Sequence, residues 1–230
     1  MKKFSKPGFL FLMVFLVLAI GNSSRAGSYF RIYPDTLPDE QELYNGRVWK
    51  NLYYSIENHQ FLFTKEFLPA TVTINKKTFK NLWLRYDIFN DEIIIPSNTG
   101  GVLNLNKELV DSFTIFFGDK ERHFSKIDNT EGLDGFAEVL YSNKTALYVK
   151  FGKKIEFSST ENSKDNFYEF YRIYFVTEKK AYLIQSKKDF YKLPGIDAKR
   201  TKEFIRKNKL TVTKKYPDSF IPVIKFCEGL

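Results

Sequence analysis

The chain has 230 residues, with 36 Lys and Arg against 27 Asp and Glu, 24 Phe, 14 Tyr and one cysteine. So aromatic a composition, with only 12 Gly and 8 Pro, excludes a disordered or collagen-like chain, and a single cysteine excludes an intrachain disulfide framework. The length suffices for one substantial core, and the formal net charge of +9 leaves the chain basic.

Lys2, Lys3 and Lys6 precede an apolar run over residues 8–20, after which a polar stretch ends in Ser24-Arg25-Ala26. That is the layout of a secretory signal peptide over residues 1–26. The run is shorter than the ~18 to 20 residues a spanning helix needs. Ser24 and Ala26 fit a small-residue cleavage site ahead of Gly27, and no cysteine lies near it to take a lipid. Cleavage there removes Lys2, Lys3, Lys6 and Arg25 and no acid, so the charge falls from +9 to +5. No later apolar run reaches spanning length, and no transmembrane span is expected after cleavage. The expected location is the periplasm or the medium, free or peripheral to the envelope.

Residues 36–46 read as a short helix, with Thr36 as N-cap, Pro38, Asp39 and Glu40 in its first turn and Gly46 as its stop. From there to residue 186 the pattern is one of short strands, which makes residues 27–186 an antiparallel β domain. Alternation is clearest at Leu82, Leu84 and Tyr86 with Trp83 and Arg85 opposite, and at Leu147, Val149 and Phe151 with Tyr148 and Lys150 opposite. Polar corners at Asn75-Lys76-Lys77-Thr78, Ser142-Asn143-Lys144-Thr145 and Glu178-Lys179-Lys180-Ala181 predict β-hairpins, and Asn90-Asp91 turns the strand through Tyr86 into Glu92-Ile93-Ile94-Ile95. The strand over residues 167–176 carries aromatics on both faces and is expected to be central and covered on both sides.

Residues 187–230 form a basic helical element expected to pack on the β domain. Ser186 can cap a helix to Leu193, Pro194-Gly195 ends it, and Asp197 can cap a second helix to about Asn208. A third begins near Pro217 with Pro222 in its first turn or at a kink, and carries Cys227, read as a small apolar contact.

Two stretches carry a resemblance. Thr71-Val72-Thr73-Ile74-Asn75, Phe79 and the run from Leu82 to Ile95 form the first, and Lys187-Lys188-Asp189-Phe190 through Phe204-Ile205-Arg206-Lys207-Asn208-Lys209-Leu210 the second. They resemble a pattern in exported, β-rich proteins of the Bacteroidota. The resemblance implies an envelope or secreted protein without an established activity, and it supplies no catalytic residues. The ending Phe226-Cys227-Glu228-Gly229-Leu230 departs from the paired aromatic ending of that pattern.

Enzymatic constellations are sparse. His59 and His123 fit no zinc spacing, no glycine loop cradles phosphate, and no cofactor or metal is implied. Ser125, His123 and Asp128 lie too close along one strand or turn to suggest a catalytic triad, and no nucleophile elbow accompanies them. Asp87, Asp91 and Glu92 at the Asn90-Asp91 corner could hold a cation or serve as an acid/base pair, yet Asn and Asp also occupy turns for backbone reasons alone. Between residues 187 and 215 there are 11 Lys or Arg against Asp189, Asp197 and Glu203. Lys199, Lys202 and Arg206, one turn apart, could meet an anionic envelope polymer, lipid headgroups or an acidic protein partner, and the same spacing fits a solvated helix face. Nucleic acid is set aside by the compartment. Tyr53-Tyr54, Trp83, Tyr148 and Tyr168-Phe170-Tyr171 could stack on sugar rings or anchor a partner, or belong to the core.

The fold expected is mainly β (α+β), an antiparallel meander forming an open barrel or curved sheet, with a short N-terminal helix and short C-terminal helices. The function expected is binding without catalysis at the envelope. A glycan-acting hydrolase using Asp87, Asp91 and Glu92, or a purely structural envelope role, stands as the alternative.

Overall fold

Strand-forming sequence turned by short polar corners builds most of the protein. The computed structural model describes residues 41–159 and 163–229. These belong to one unit, Pro34–Leu230. Among the described residues the chain forms β1 (Gly46–Val48), β2 (Leu68–Ile74), β3 (Lys77–Asp87), β4 (Glu92–Pro96), β5 (Val102–Leu105) and β6 (Val110–Phe117). It continues through β7 (Lys120–Ile127), β8 (Gly135–Ser142), β9 (Ala146–Glu156), β10 (Asn166–Thr177) and β11 (Lys180–Ile184). Three helices follow: α1 (Lys187–Phe190), α2 (Ala198–Lys207) and α3 (Ile221–Glu228), the last entered through a 3-10 turn over Pro217–Phe220.

The strands make one antiparallel sheet in the order β1-β5-β4-β3-β2-β6-β7-β8-β9-β10-β11, open at β1 and β11. The expected mainly-β meander is what forms, as a curved open sheet. Two steps leave the meander: β1 pairs with β5 rather than β2, and β6 returns to pair with β2 rather than β5. Two of the predicted hairpin corners take the tightest form, while the one after Ser142 is a three-residue loop closing at Ala146. Asn75 and Lys76 have φ of 47° and 67°, and Glu178 and Lys179 have 51° and 61°. These are the left-handed pairs a two-residue type I′ turn demands. A further hairpin over Gly118-Asp119, with Gly118 at φ 59°, joins β6 to β7.

β3 pairs with β2 through its first part and with β4 through Arg85–Asp87. Residues of both parts of the sheet meet in one cluster, Val72, Phe113 and Phe124 against Ile93, Ile95 and Leu105, so the sheet curls around this first core. A second core forms where Leu147, Val149, Ile173 and Phe175 are covered by Phe190, Ile205, Phe220, Val223 and Ile224 of the helical end. The alternations at Leu84 and Tyr86 and at Leu147 and Val149 are buried as their period requires.

Two expectations are corrected. β10 is second from the edge and is not covered on both sides: β11 is short and pairs with it over Ile173–Thr177, while Tyr168 and Tyr171, in the part beyond β11, are exposed. Gly46 begins a strand instead of stopping a helix. Most of the helix expected over residues 36–46, like the signal segment 1–26, lies outside the described residues.

Of the C-terminal helices, α2 starts on a side-chain cap and α3 stops on a glycine. α1 is shorter than expected, ending at Phe190 with turns to Pro194-Gly195. Asp197 accepts from the backbone N–H groups of Lys199 and Arg200 at 2.9 and 3.0 Å to open α2. Pro222 sits in the first turn of α3, where its missing N–H costs nothing, and Gly229 closes the helix at φ 80°. Among the described residues, no helix is long and apolar enough to cross a membrane.

Candidate functional site

The Asp87, Asp91 and Glu92 corner sends its three carboxylates to three different tasks. Asp87 is buried and accepts from the N–H of Phe89 and Asn90 at 3.0 and 2.9 Å and from Asn90 Nδ2 at 2.9 Å. It closes its own turn. Burial pushes its carboxyl upward, against the pull of the Asn90 and Phe89 donors. Asp91, at φ 58°, reaches to β3, β8 and β9: Tyr86 Oη donates to its Oδ1 at 2.6 Å, Lys150 Nζ at 2.9 Å and the Phe136 N–H at 3.4 Å. Glu92 pairs with exposed Arg47 of β1. Of the three, Asp91 borders a cleft of about 470 Å³ beside the 128–135 loop, and neither Asp87 nor Glu92 lines it. The corner does not assemble two carboxyls around a common space, as general acid/base work requires. Trp83 lies on β3 opposite Pro69, half-exposed and away from that cleft.

The basic helix presents what its spacing promised. On α2, Thr201 and Ile205 are buried and Lys199, Lys202 and Arg206 are exposed on the other side. Lys202 Nζ sits 5.1 Å from the centroid of the Tyr191 ring. Among the described residues, no Lys or Arg between 187 and 215 takes part in an ion pair. The cations of this face therefore hold no carboxylate directly, although exposed Glu203 shares the helix with them, in contrast to the sheet, where Lys126, Lys150, Lys153 and Lys180 each hold one.

The remaining sequence candidates separate. His123 bonds Thr114 Oγ1 through Nδ1 at 3.1 Å and Ser125 Oγ through Nε2 at 3.4 Å, while Asp128 lies toward Lys126. No triad forms, because the nitrogen that an acid would orient already faces a threonine. His59 is stacked on Phe61, its imidazole held below its ordinary value by burial and then by the Lys153 charge. Cys227 is half-buried with Sγ 3.5 Å from Thr201 Oγ1, and burial pushes its thiol up. Tyr54, Trp83, Tyr168 and Tyr171 are exposed, and Tyr53, Tyr148 and Phe170 are partly covered.

One constellation escapes sequence reading. Arg122 and Glu138 pair across β7 and β8 at the floor of a second cleft that Tyr171 and Tyr216 help to line. Lys120-Glu121-Arg122-His123 reads as a polar edge, with nothing to mark Arg122 as inward. The available signal was Glu138, a lone charge in the apolar run Phe136 to Leu140 at a spacing of two from each end.

Comparison with known proteins found no match to a family model, to a curated protein or to a solved structure.

Proposed function

We propose that this is an exported, non-catalytic protein that works by binding at the cell envelope, with an anionic envelope polymer as its partner and an acidic protein surface as the second choice. One observation carries the reading: Lys199, Lys202 and Arg206 stand exposed on one face of α2 with no ion pair among the described residues. A face whose cations outnumber its acids attracts polyanions over a distance set by salt. The signal-like residues 1–26 and the resemblance to exported β-rich proteins of the Bacteroidota support the compartment. The divergent carboxylates at Asp87, Asp91 and Glu92 offer no support to a hydrolase.

The test is co-sedimentation of the purified protein with isolated envelopes. Salt of about 0.1 M leaves a Debye length of ~10 Å and about 1 M one of ~3 Å. Binding should be present at the lower salt, absent at the higher, and weakened when Lys199, Lys202 and Arg206 are all changed to Ala. Protein that stays in the supernatant at both salts, or pellets equally with and without the three cations, would sink the proposal.

A further inference from the structure

We infer that the cleft between the sheet and the 213–218 turn is a binding subsite for one neutral pyranose unit of a saccharide, stacked on Tyr171 and Tyr216 and hydrogen-bonded by Arg122 and Glu138. This site is separate from the α2 face and does not depend on it.

Strand register sets these groups side by side. Phe124 stands opposite Glu138, Glu138 opposite Val149, and Phe151 opposite Tyr171. Alternate residues share a face, so Arg122, Glu138, Phe151 and Tyr171 all lie on the face that carries Phe124 of the first core and Val149 of the second. An ion pair is therefore set into the apolar side of the sheet, between two cores. A buried polar group in that position is the informative exception. Glu138 is 3% exposed, and its burial is met by Arg122, whose Nη2 donates to Glu138 Oε2 at 2.7 Å while Nε lies against Oε1. The guanidinium is itself held over the rings of Phe63 and Phe151, 5.4 and 5.8 Å from their centroids. Such a pair is costly to bury where two apolar side chains would serve the fold as well or better.

Above this floor lies a cleft of about 530 Å³. That is within the range of roughly 300 to 1,000 Å³ usual for small-molecule sites. Its wall is fixed before any ligand arrives: Tyr171 Oη donates to the Lys214 carbonyl at 3.0 Å, and Ser219 Oγ bonds both the N–H and the carbonyl of Thr213. Tyr216 projects from this turn and is 58% exposed, with Lys215 Nζ 5.6 Å from its ring centroid.

The ligand class follows from these groups. Aromatic rings at the mouth favour a ligand with an apolar face, as the C–H face of a pyranose is. The Arg122–Glu138 pair keeps spare N–H donors and carboxylate lone pairs side by side, which suits adjacent hydroxyls that must both donate and accept. The lining charges are Lys120, Arg122 and Lys215 against Glu121, Glu138 and Asp218, three of each sign. That balance favours a neutral ring over an anionic one.

The test is titration calorimetry of the purified protein with hexasaccharides of β-1,4-glucose, β-1,4-mannose and α-1,4-glucose, with a galacturonic acid hexamer as the anionic comparison. At least one neutral hexamer should bind with a dissociation constant of about 1 mM or tighter, with an affinity that changes little with salt. Tyr216→Ala, at a largely exposed site, should weaken it about tenfold. Glu138→Gln should weaken it by a similar factor, with retained thermal unfolding as the control for folding. The Lys199, Lys202 and Arg206 variant should bind the same hexamer unchanged. The inference is overturned if no neutral hexamer binds, if binding survives both Tyr216→Ala and Glu138→Gln, or if the uronic acid hexamer binds more tightly than every neutral one.

Discussion

The two cores on the sheet are closed by different means. In the first, strands close over strands: Phe113 stacks on Phe124 with centroids 4.8 Å apart, and Tyr86 and Phe136 meet them edge-on. In the second, three helices of 4, 10 and 8 residues lie over β9, β10 and β11. Isolated helices below ~12 residues are marginal in water, so this cover exists because Phe190, Ile205, Phe220 and Val223 dock. One sheet thus carries regions of unequal independence. The first core is held by register and opens with the whole sheet, whereas the second can lose its cover while β9 and β10 remain paired.

The largest expected effect tests that inequality. Phe113→Ala and Phe220→Ala each remove a fully buried ring and should each cost about 3 to 5 kcal/mol. Hydrogen exchange distinguishes them. Phe113→Ala should raise exchange throughout β2, β3, β6 and β7, and Phe220→Ala should raise it in α1, α2 and α3 first. Equal acceleration in both regions for both variants would show that the cores open as one unit.

An intermediate effect is expected at Gly135, where a latch on the other side of the sheet meets the first core. Gly135 has φ 66°, and a Cβ there would lie 1.9 Å from Asp91 Oδ2. Gly135→Ala therefore displaces the carboxylate that Tyr86 and Lys150 share. The cost should be about 2 to 3 kcal/mol by urea unfolding. If the loss appears instead as early exchange of the helices, the latch serves the second core and the division between the cores is misplaced.

What was legible in the sequence follows the same line. Periodicity and turn chemistry reveal strands, because a half-buried strand must alternate and a tight corner must tolerate positive φ, as at Asn75-Lys76 and Glu178-Lys179. Asp197 and Pro222 mark their helices for equally local reasons. Long-range order is another matter. Nothing local says that β6 returns to β2, or that β10 runs past its short neighbour β11 and leaves Tyr168 and Tyr171 exposed. The site residues divide likewise. Lys199, Lys202 and Arg206 are legible because helical spacing alone places them on one face. The three carboxylates of the Asn90-Asp91 corner are close in sequence yet part in space, and Arg122 and Glu138, 16 residues apart, are joined only by strand pairing.

The smallest effect concerns the clasp that holds the helical cover in place. Glu228, in the last turn of α3, accepts from the Thr145 N–H at 2.7 Å, Thr145 Oγ1 and Tyr141 Oη at 2.6 Å each, and Asn143 Nδ2 at 3.2 Å. Burial raises its carboxyl, but these donors from the β8–β9 hairpin outweigh burial and hold it below the ordinary 4.5. The clasp is partly open to water, so Glu228→Gln should cost about 1 kcal/mol at neutral pH. A depressed folded pKa means that the unfolded chain binds the proton more readily. The contribution is thus complete above pH 4.5 and is lost as pH falls through the lower folded value. The gap between wild type and Glu228→Gln should therefore close on acidification below about pH 4.5, read from chemical unfolding at a series of pH values. Glu138, between the cores, works in the opposite sense: burial pushes its carboxyl above 4.5, against the Arg122 hydrogen bond and charge. Its protonation favours the folded state as pH falls through that raised value, so the two carboxyls act in adjacent pH windows with opposite signs. Glu138→Gln should remove a stability gain above pH 4.5 and Glu228→Gln a stability loss below it. If both variants change the profile in the same direction, the clasp and the cleft floor are not electrostatically distinct, and the contrast between the helix-covered core and its boundary fails.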